Sequence, residues 1–297
     1  MEGNPEHPGA EEPSLAERLE RGDLVHFPSC PFPLPNHSER TFLFEQTLSS
    51  SVHKNISYDP RTGRAGGFAF RSREQAERLK QIFADFSKRA TTWLSQTLPA
   101  YAQGWRLDRV GFRPEEEATR RLRHTARNDL LHIDAFPSRP TQGQRILRLY
   151  VNVNPTEPRI WTTSERFAQL LERFGARVGL PSARGAGWAR RVSQGVLGLF
   201  NPTRRRRTVY DSFMLNFHDF LKGNEAFQEH AAKRFWVFVP GSAWLLFSDG
   251  LSHADLRGRF ALDHSYFIAA RTLMLPAAAP AALLEKACGI SVLSRAA

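Results

Sequence analysis

Cysteine is nearly missing from this chain. Two occur in 297 residues, Cys30 and Cys288, far apart and without CxxC spacing. That leaves no material for a disulfide framework or a cysteine-based zinc site, and it fits a reducing compartment. Long apolar runs are also missing: none approaches the ~20 residues of a membrane-spanning helix. The first twenty residues, Met1–Glu20, are acidic and proline-rich, without the apolar core of a signal peptide. The expectation is a cytoplasmic protein whose work at a membrane, if any, is done from the surface. No internal repeat is visible.

One stretch lacks acidic residues altogether. Between Pro181 and Tyr210 stand seven arginines (Arg184, Arg190, Arg191, Arg204, Arg205, Arg206, Arg207) and no carboxylate. They carry much of the formal net charge of +11. Such a patch suits an anionic partner: nucleic acid, an anionic lipid surface or an anionic substrate. It equally suits a solvated loop. Trp188, Val192, Val196 and Leu199 recur near helical spacing there, as in an amphipathic segment that lies in a lipid interface.

What is present is a core. Hydrophobic residues make up 41 % of the chain, and 22 are Phe, which marks a folded protein. Residues 1–22 read as a disordered tail. Asp23–Phe27 and Thr41–Phe44 read as short strands. Ser72 and Gln75 form a capping box, and Leu79, Ile82, Phe83, Phe86, Ala90, Trp93 and Leu94 then follow helical spacing up to Pro99. Such a helix covers one face of a sheet. Gly104–Phe112, Asp129–Asp134 and Arg145–Asn154 read as strands. Thr163 caps a helix, and Asp211–Leu221 forms another. Phe235–Val239 and Ala243–Phe247 read as a hairpin around Pro240–Ser242. Phe260–Thr272 is the last strand, and Ala277–Gly289 a terminal helix.

The chemistry centres on His132-Ile133-Asp134. Residues i and i+2 of a strand share a face, so this imidazole and this carboxylate point the same way. A second histidine from far along the chain would complete a two-His-one-carboxylate triad with open positions on ferrous iron. His253, in a short loop, is available. By itself His-x-Asp is a weak motif.

Four segments carry more information: His132–Pro140, Arg145–Pro155, Tyr210–Lys222 and Pro240–Ala254. Together they resemble the Kdo hydroxylases, iron(II)- and 2-oxoglutarate-dependent dioxygenases acting on 3-deoxy-D-manno-octulosonic acid (Kdo) of lipopolysaccharide. The resemblance runs through roughly residues 23–290 and is weakest in Pro181–Arg207. It implies a mainly β chain with helices, built on a double-stranded β-helix (jelly-roll, cupin-like) core. One domain, residues 23–297, would hold a helical, arginine-rich insertion near 156–232. His132, Asp134 and His253 would be the catalytic metal ligands. The cofactors implied are Fe2+, 2-oxoglutarate and O2, with ascorbate as an accessory reductant. The substrate would be Kdo-lipid A, hydroxylated at the third carbon to D-glycero-D-talo-octulosonic acid, with succinate and CO2 released.

The far carboxylate of 2-oxoglutarate needs a cation. Arg148, on the strand after His-x-Asp, and Arg271, on the last strand, both remain open for that bidentate role. Asn152 shares the face of Arg148 and could reach the site. Asn154, before Pro155, reads as turn chemistry. Asp249 is a candidate acceptor for the second ring nitrogen of a histidine ligand. His218 and His264 could contact substrate, although a lone histidine in an apolar segment more often reads as structural; Asp211 and Asp219 read as helix caps or exposed groups. The expected partners are Kdo-lipid A and an anionic membrane surface on the inner face of the inner membrane, with no nucleic acid. The oligomeric state is open. Two competing readings remain: an oxygenase of another sugar or of a protein, and a non-catalytic β-barrel module that binds anionic lipid.

Overall fold

The computed structural model describes residues 12–51, 54–119, 122–182 and 207–294. The amphipathic segment expected around Trp188–Phe200 lies outside the described residues, as does most of the arginine run.

Ten strands among the described residues form two antiparallel sheets. The larger runs in the order β1 (Val25–Phe27), β8 (Ala243–Phe247), β5 (Arg145–Asn152), β10 (Ala261–Ile268), β4 (Trp105–Arg113), β2 (Ile56–Asp59) and β3 (Arg64–Gly66). The smaller runs β7 (Arg234–Phe238), β6 (Arg159–Arg166), β9 (Leu251–Arg257). Period-two alternation sorts each strand by face. On β5, Leu147, Leu149 and Val151 point outward into the core beneath helix α3 (Arg73–Thr97). Ser72 caps that helix by accepting from the Gln75 amide, but the Gln75 side chain accepts from the Arg71 amide and so closes no capping box; Leu79, Ile82, Phe83, Phe86, Ala90 and Leu94 are buried beneath the helix. Each large side chain buried there contributes ~1.5–3 kcal/mol.

The other face of β5 looks into the space between the sheets. Tyr150, Trp244 and Leu246 from the large sheet meet Trp161, Phe238 and Leu251 from the small one. Trp244 stacks on Phe238 with ring centroids 3.9 Å apart and on Tyr150 at 5.3 Å. A third core clamps Leu131 and Ile133 under α5 (Phe167–Val178), α6 (Val209–Gly223), α7 (Glu225–His230) and α8 (Pro280–Cys288). The result is the expected jelly roll: two facing sheets with helices on the outside.

Several local expectations need correction. The segment 1–22 contains a helix, Leu15–Glu20, closed by a capping box from Ser14 to Glu17, with Leu19 fully buried. Thr41–Phe44 is helical: His37–Phe44 starts at a capping box between Asn36 and Glu39. Thr163 lies within β6 and caps nothing, so the stretch near 156–232 holds a sheet strand as well as helices. Asp129–Asp134 is irregular backbone touching the sheet through one bridge, His132 to His253. His253 itself stands in β9. The β7–β8 pair is no hairpin. Gly241, at φ +80°, turns the chain from one sheet to the other. Alternation marked both strands correctly, but period cannot say which sheet each one joins.

Candidate active site

His132 and His253 sit directly opposite each other across that bridge. The His132 amide donates to the His253 carbonyl at 3.1 Å, and the His253 amide donates back at 2.9 Å. Such a reciprocal pair sends both side chains from the same face. Asp134, two residues on, follows, and its amide donates to the Ser248 carbonyl at 2.8 Å. Ligand atoms of the three side chains all lie within 4.8 Å of one another, and all three residues are buried. The backbone of Leu131 is clipped by Gln228, which accepts from its amide at 2.8 Å and donates to its carbonyl at 2.9 Å.

The donor set fits a divalent first-row metal. Each ring Nδ1 donates to a main-chain carbonyl two residues back, His132 to Leu130 at 2.7 Å and His253 to Leu251 at 2.9 Å. That leaves each Nε2 lone pair for an ion. The carbonyls, not Asp249, are therefore the histidines' acceptors. Asp249 is taken by Arg145, whose Nε donates to it at 2.9 Å. Burial holds the His253 imidazole below its ordinary value. Burial, then the Lys222 charge, holds His132 well below. Both rings are thus neutral, as ligands must be. Burial alone would raise the Asp134 carboxyl, but the Arg148 guanidinium reverses this and holds it well below the usual carboxylate range. Trp161 stacks on His253 with centroids 5.5 Å apart and planes 13° from parallel.

Arg148 is at the site, committed to protein carboxylates. Its Nη1 donates to Asp134 at 3.0 Å and its Nη2 to Asp263 at 2.7 Å. Asp263 also accepts from Arg113 Nε at 3.4 Å. Arg113 Nη1 lies 3.6 Å from Asp255, which also pairs with Arg159. Charge alternates along this buried row. Arg148 Nε and Arg113 Nη1 remain without a hydrogen-bond partner. The Tyr150 ring lies 4.6 Å from one guanidinium carbon and 5.9 Å from the other.

The other expected residues sort differently. Asn152 is fully buried, but its amide group donates to the Phe238 and Glu157 carbonyls and accepts from the Asn154 amide, so it ties strand ends together. Asn154 accepts from the Thr156 and Glu157 amides, which is the turn role expected. Arg271 is off the strand, exposed in a short turn, Ala270–Thr272, and not in the wall of the cleft described below. His264 is structural: it faces α3 and bonds Ser87 at 2.8 Å. His218 comes close, its ring 5.2 Å from that of His132. Thr208 caps α6 and Asp211, at its third position, completes the capping box while accepting from the Thr141 and Gln142 amides; Asp219 pairs with His218.

Sequence reasoning missed Asp263, Arg113, Gln228 and Trp161. For Asp263 a signal existed: it is the lone carboxylate in the mostly apolar strand Ala261–Ile268. Gln228 carries no pattern, because its role depends on how α7 docks.

A cleft of about 660 Å³ opens beside Arg148 and Asp263 and continues past Ser265, Arg139, Gly111 and Ser57. Arg139, five residues after Asp134, pairs with Asp108 and lies over the Phe136 ring at 4.1 Å. Burial, then the Arg148 charge, pushes its guanidinium down to about 10.

Comparison with known proteins agrees with this geometry. A family model described as 3-deoxy-D-manno-oct-2-ulosonic acid (Kdo) hydroxylase matches residues 3–291. The apo structure of the Kdo hydroxylase KdoO, a non-heme Fe(II) α-ketoglutarate-dependent dioxygenase, is 31 % identical with a TM-score of 0.81, covering 94 % of this chain and 90 % of that one. The same enzyme with cobalt(II) gives 31 % identity, a TM-score of 0.82 and the same coverage. Its complex with α-ketoglutarate and Fe(III) gives 30 % and 0.79, covering 93 % of this chain and 90 % of that one. No curated protein matches the chain. The chain belongs to the Kdo hydroxylase family.

Proposed function

We propose that this protein is an iron(II)- and 2-oxoglutarate-dependent dioxygenase that hydroxylates a Kdo residue at its third carbon on Kdo-lipid A. The observation that carries the reading is the buried His132–Asp134–His253 cluster, in a chain matched over residues 3–291 by the Kdo hydroxylase family. These three residues would hold the iron. Bound iron, with 2-oxoglutarate and dioxygen, supplies the oxidising power that replaces a C–H bond by C–OH while 2-oxoglutarate leaves as succinate and CO2.

The chain's own residues prepare this. Arg148 fixes Asp134 as an ionised ligand. The carbonyls of Leu130 and Leu251 hold the two imidazoles in one tautomer. Arg148 lines the cleft, and its Nε, buried without a hydrogen-bond partner, is the donor that the far carboxylate of 2-oxoglutarate would meet. The aromatic wall of Trp161, Trp244 and Phe238 excludes water behind them. All of this lies within one jelly-roll domain, which we take to include the helix Leu15–Glu20, because Leu19 is buried in the core beneath the large sheet.

No helix among the described residues is long and apolar enough to cross a membrane. A lipid-borne substrate then calls for surface docking, and the arginines at 184–207 suit an anionic inner-membrane face. Vesicle sedimentation tests that part: neutralising Arg204–Arg207 should weaken binding to anionic vesicles. Anaerobic titration tests the mechanism. Fe(II) and 2-oxoglutarate added together should give a weak visible charge-transfer band, and a non-catalytic lipid-binding barrel would give none.

A further inference from the structure

The two sheets are unequal, and the difference leaves a strip of the large sheet bare. Three strands face seven. The small sheet lies over the β1–β8–β5–β10 side, where Trp161 and Phe238 meet Tyr150 and Trp244. Among the described residues no strand lies above the inner face of β4, β2 and β3, which forms the floor of the 660 Å³ cleft. Register decides what it shows. Asp263 pairs with Gly111, which puts Gly111 on the inner face of β4, and Arg109, at the bulge opposite Ser265, also lines the cleft. Ser57 pairs with both Gly111 and Gly66, and Asp59 with Arg64. Small residues, Gly111, Ser57 and Gly66, therefore line the middle of the floor. Arg64 and Arg109 stand at its outer rim, with Asp263 and Arg148 at its inner end.

Charge gives the strip a sign. Cleft-lining cations are Lys54, Arg64, Arg109, Arg139 and Arg148, against two carboxylates, Asp59 and Asp263. Asp263 is engaged by Arg148 and Arg113, and Asp59 by Arg61 at 3.1 Å. Arg139 is paired with Asp108. Arg64 and Arg109 are exposed and make no hydrogen bond or ion pair among the described residues; Arg109 acts on Asp59 only through its field. A flat strip of small residues accepts a sugar ring, and two unpaired guanidinium groups at its end accept an oxyanion.

We propose that the bare inner face of β4, β2 and β3 is a docking strip for the saccharide, and that Arg64 and Arg109 hold a second anionic group of the substrate, remote from the carbon that reacts. This rests on the proposed function for the identity of the substrate. The group is a carboxylate or a phosphate on the same glycolipid. Remote binding of this kind orients the reacting sugar without touching the metal.

The test uses the full-length protein and the double variant Arg64→Gln/Arg109→Gln. Both side chains are exposed, so the core is undisturbed. The KM for Kdo-lipid A should rise about tenfold while the KM for 2-oxoglutarate stays within about twofold. Inorganic phosphate titrated calorimetrically into the metal-free proteins should bind the variant about fivefold more weakly than the wild type. An acceptor KM and a phosphate affinity both equal to wild type would overturn the proposal. Acceptor lacking the lipid phosphates separates the two sources. If the wild type handles it as the variant handles intact acceptor, the group is a phosphate. If its KM is unchanged and the variant still raises it, the group is a sugar carboxylate. Loss of phosphate binding in the variant, with no turnover of Kdo-lipid A by the wild type, would uphold the strip and remove the assigned substrate.

Discussion

Arg148 Nη1 lies 3.0 Å from Oδ2 of Asp134, so the arginine on β5 grips the carboxylate of the proposed metal cluster instead of standing free. Its second arm grips Asp263, 2.7 Å away on the neighbouring strand β10. The site is thus preloaded. Asp134 is held ionised, oriented and short of one lone pair before any metal arrives. Arg148→Met would leave two buried carboxylates without this partner. Breaking such a pair costs ~3–5 kcal/mol, and loss of an outer partner typically weakens metal binding ~10–100-fold. Thermal denaturation and cobalt(II) titration without 2-oxoglutarate read these effects apart from cosubstrate binding. Wild-type cobalt affinity in the variant would show that Asp134 needs no such support.

Gly111 is required for space. A Cβ there would sit 2.8 Å from Asp263 Oδ2 and 3.0 Å from its Cγ. Gly111→Ala should push Asp263 off Arg148 and Arg113 and cost ~1–3 kcal/mol. Gly66 is the control, because nothing lies within 4 Å of a Cβ there. Gly66→Ala should stay within ~0.5 kcal/mol of wild type. Chemical denaturation distinguishes them, and equal midpoints would mean that Asp263 has room to move.

His264 should make the fold acid-sensitive. Burial pushes its imidazole from 6.5 to about 4. Between those values the unfolded chain binds a proton that the folded chain refuses. Its contribution is therefore complete above about pH 6.5 and is lost toward pH 4, at about 1.4 kcal/mol per unit. Wild type should lose more stability between about pH 7 and about pH 5 than His264→Gln does, since the other titrating groups are common to both. Equal losses would assign the slope to other groups.

Trp161 should steady His253 through its face. Trp161→Ala removes the ring stacked 5.5 Å from the imidazole and opens a void against Tyr150 and Trp244. A loss of ~3–5 kcal/mol follows. Trp161→Phe keeps a ring there and discards an indole Nε1 that has no hydrogen-bond partner, so its loss should be clearly smaller. Equal melting points for the two variants would contradict the stacking role.

How far the sequence discloses this site follows from the range of each interaction. The metal triad is legible because His132 and Asp134 are two residues apart and the family-like blocks fix His253. The long helix over the large sheet is legible because its cap and its apolar period are both local. The helix His37–Phe44 was equally local, and its Asn36–Glu39 capping box was the signal overlooked. Alternation groups Arg148 with Tyr150 and Asn152 on one face, and that face looks between the sheets. Its partners were not visible, because Asp263 is 115 residues away and only strand order brings it alongside. Arg271 failed for a simpler reason: strand β10 ends at Ile268, three residues short of it. The β7–β8 turn shows the same limit, since a glycine turn looks identical whether its strands pair or part.

The most direct measurement is mass spectrometry of Kdo-lipid A after incubation with the protein, Fe(II), 2-oxoglutarate and oxygen. The account predicts one added oxygen on a Kdo residue, matched by succinate, and none of either with His132→Ala. Unmodified Kdo after wild-type incubation, or oxidation retained in His132→Ala, would contradict it.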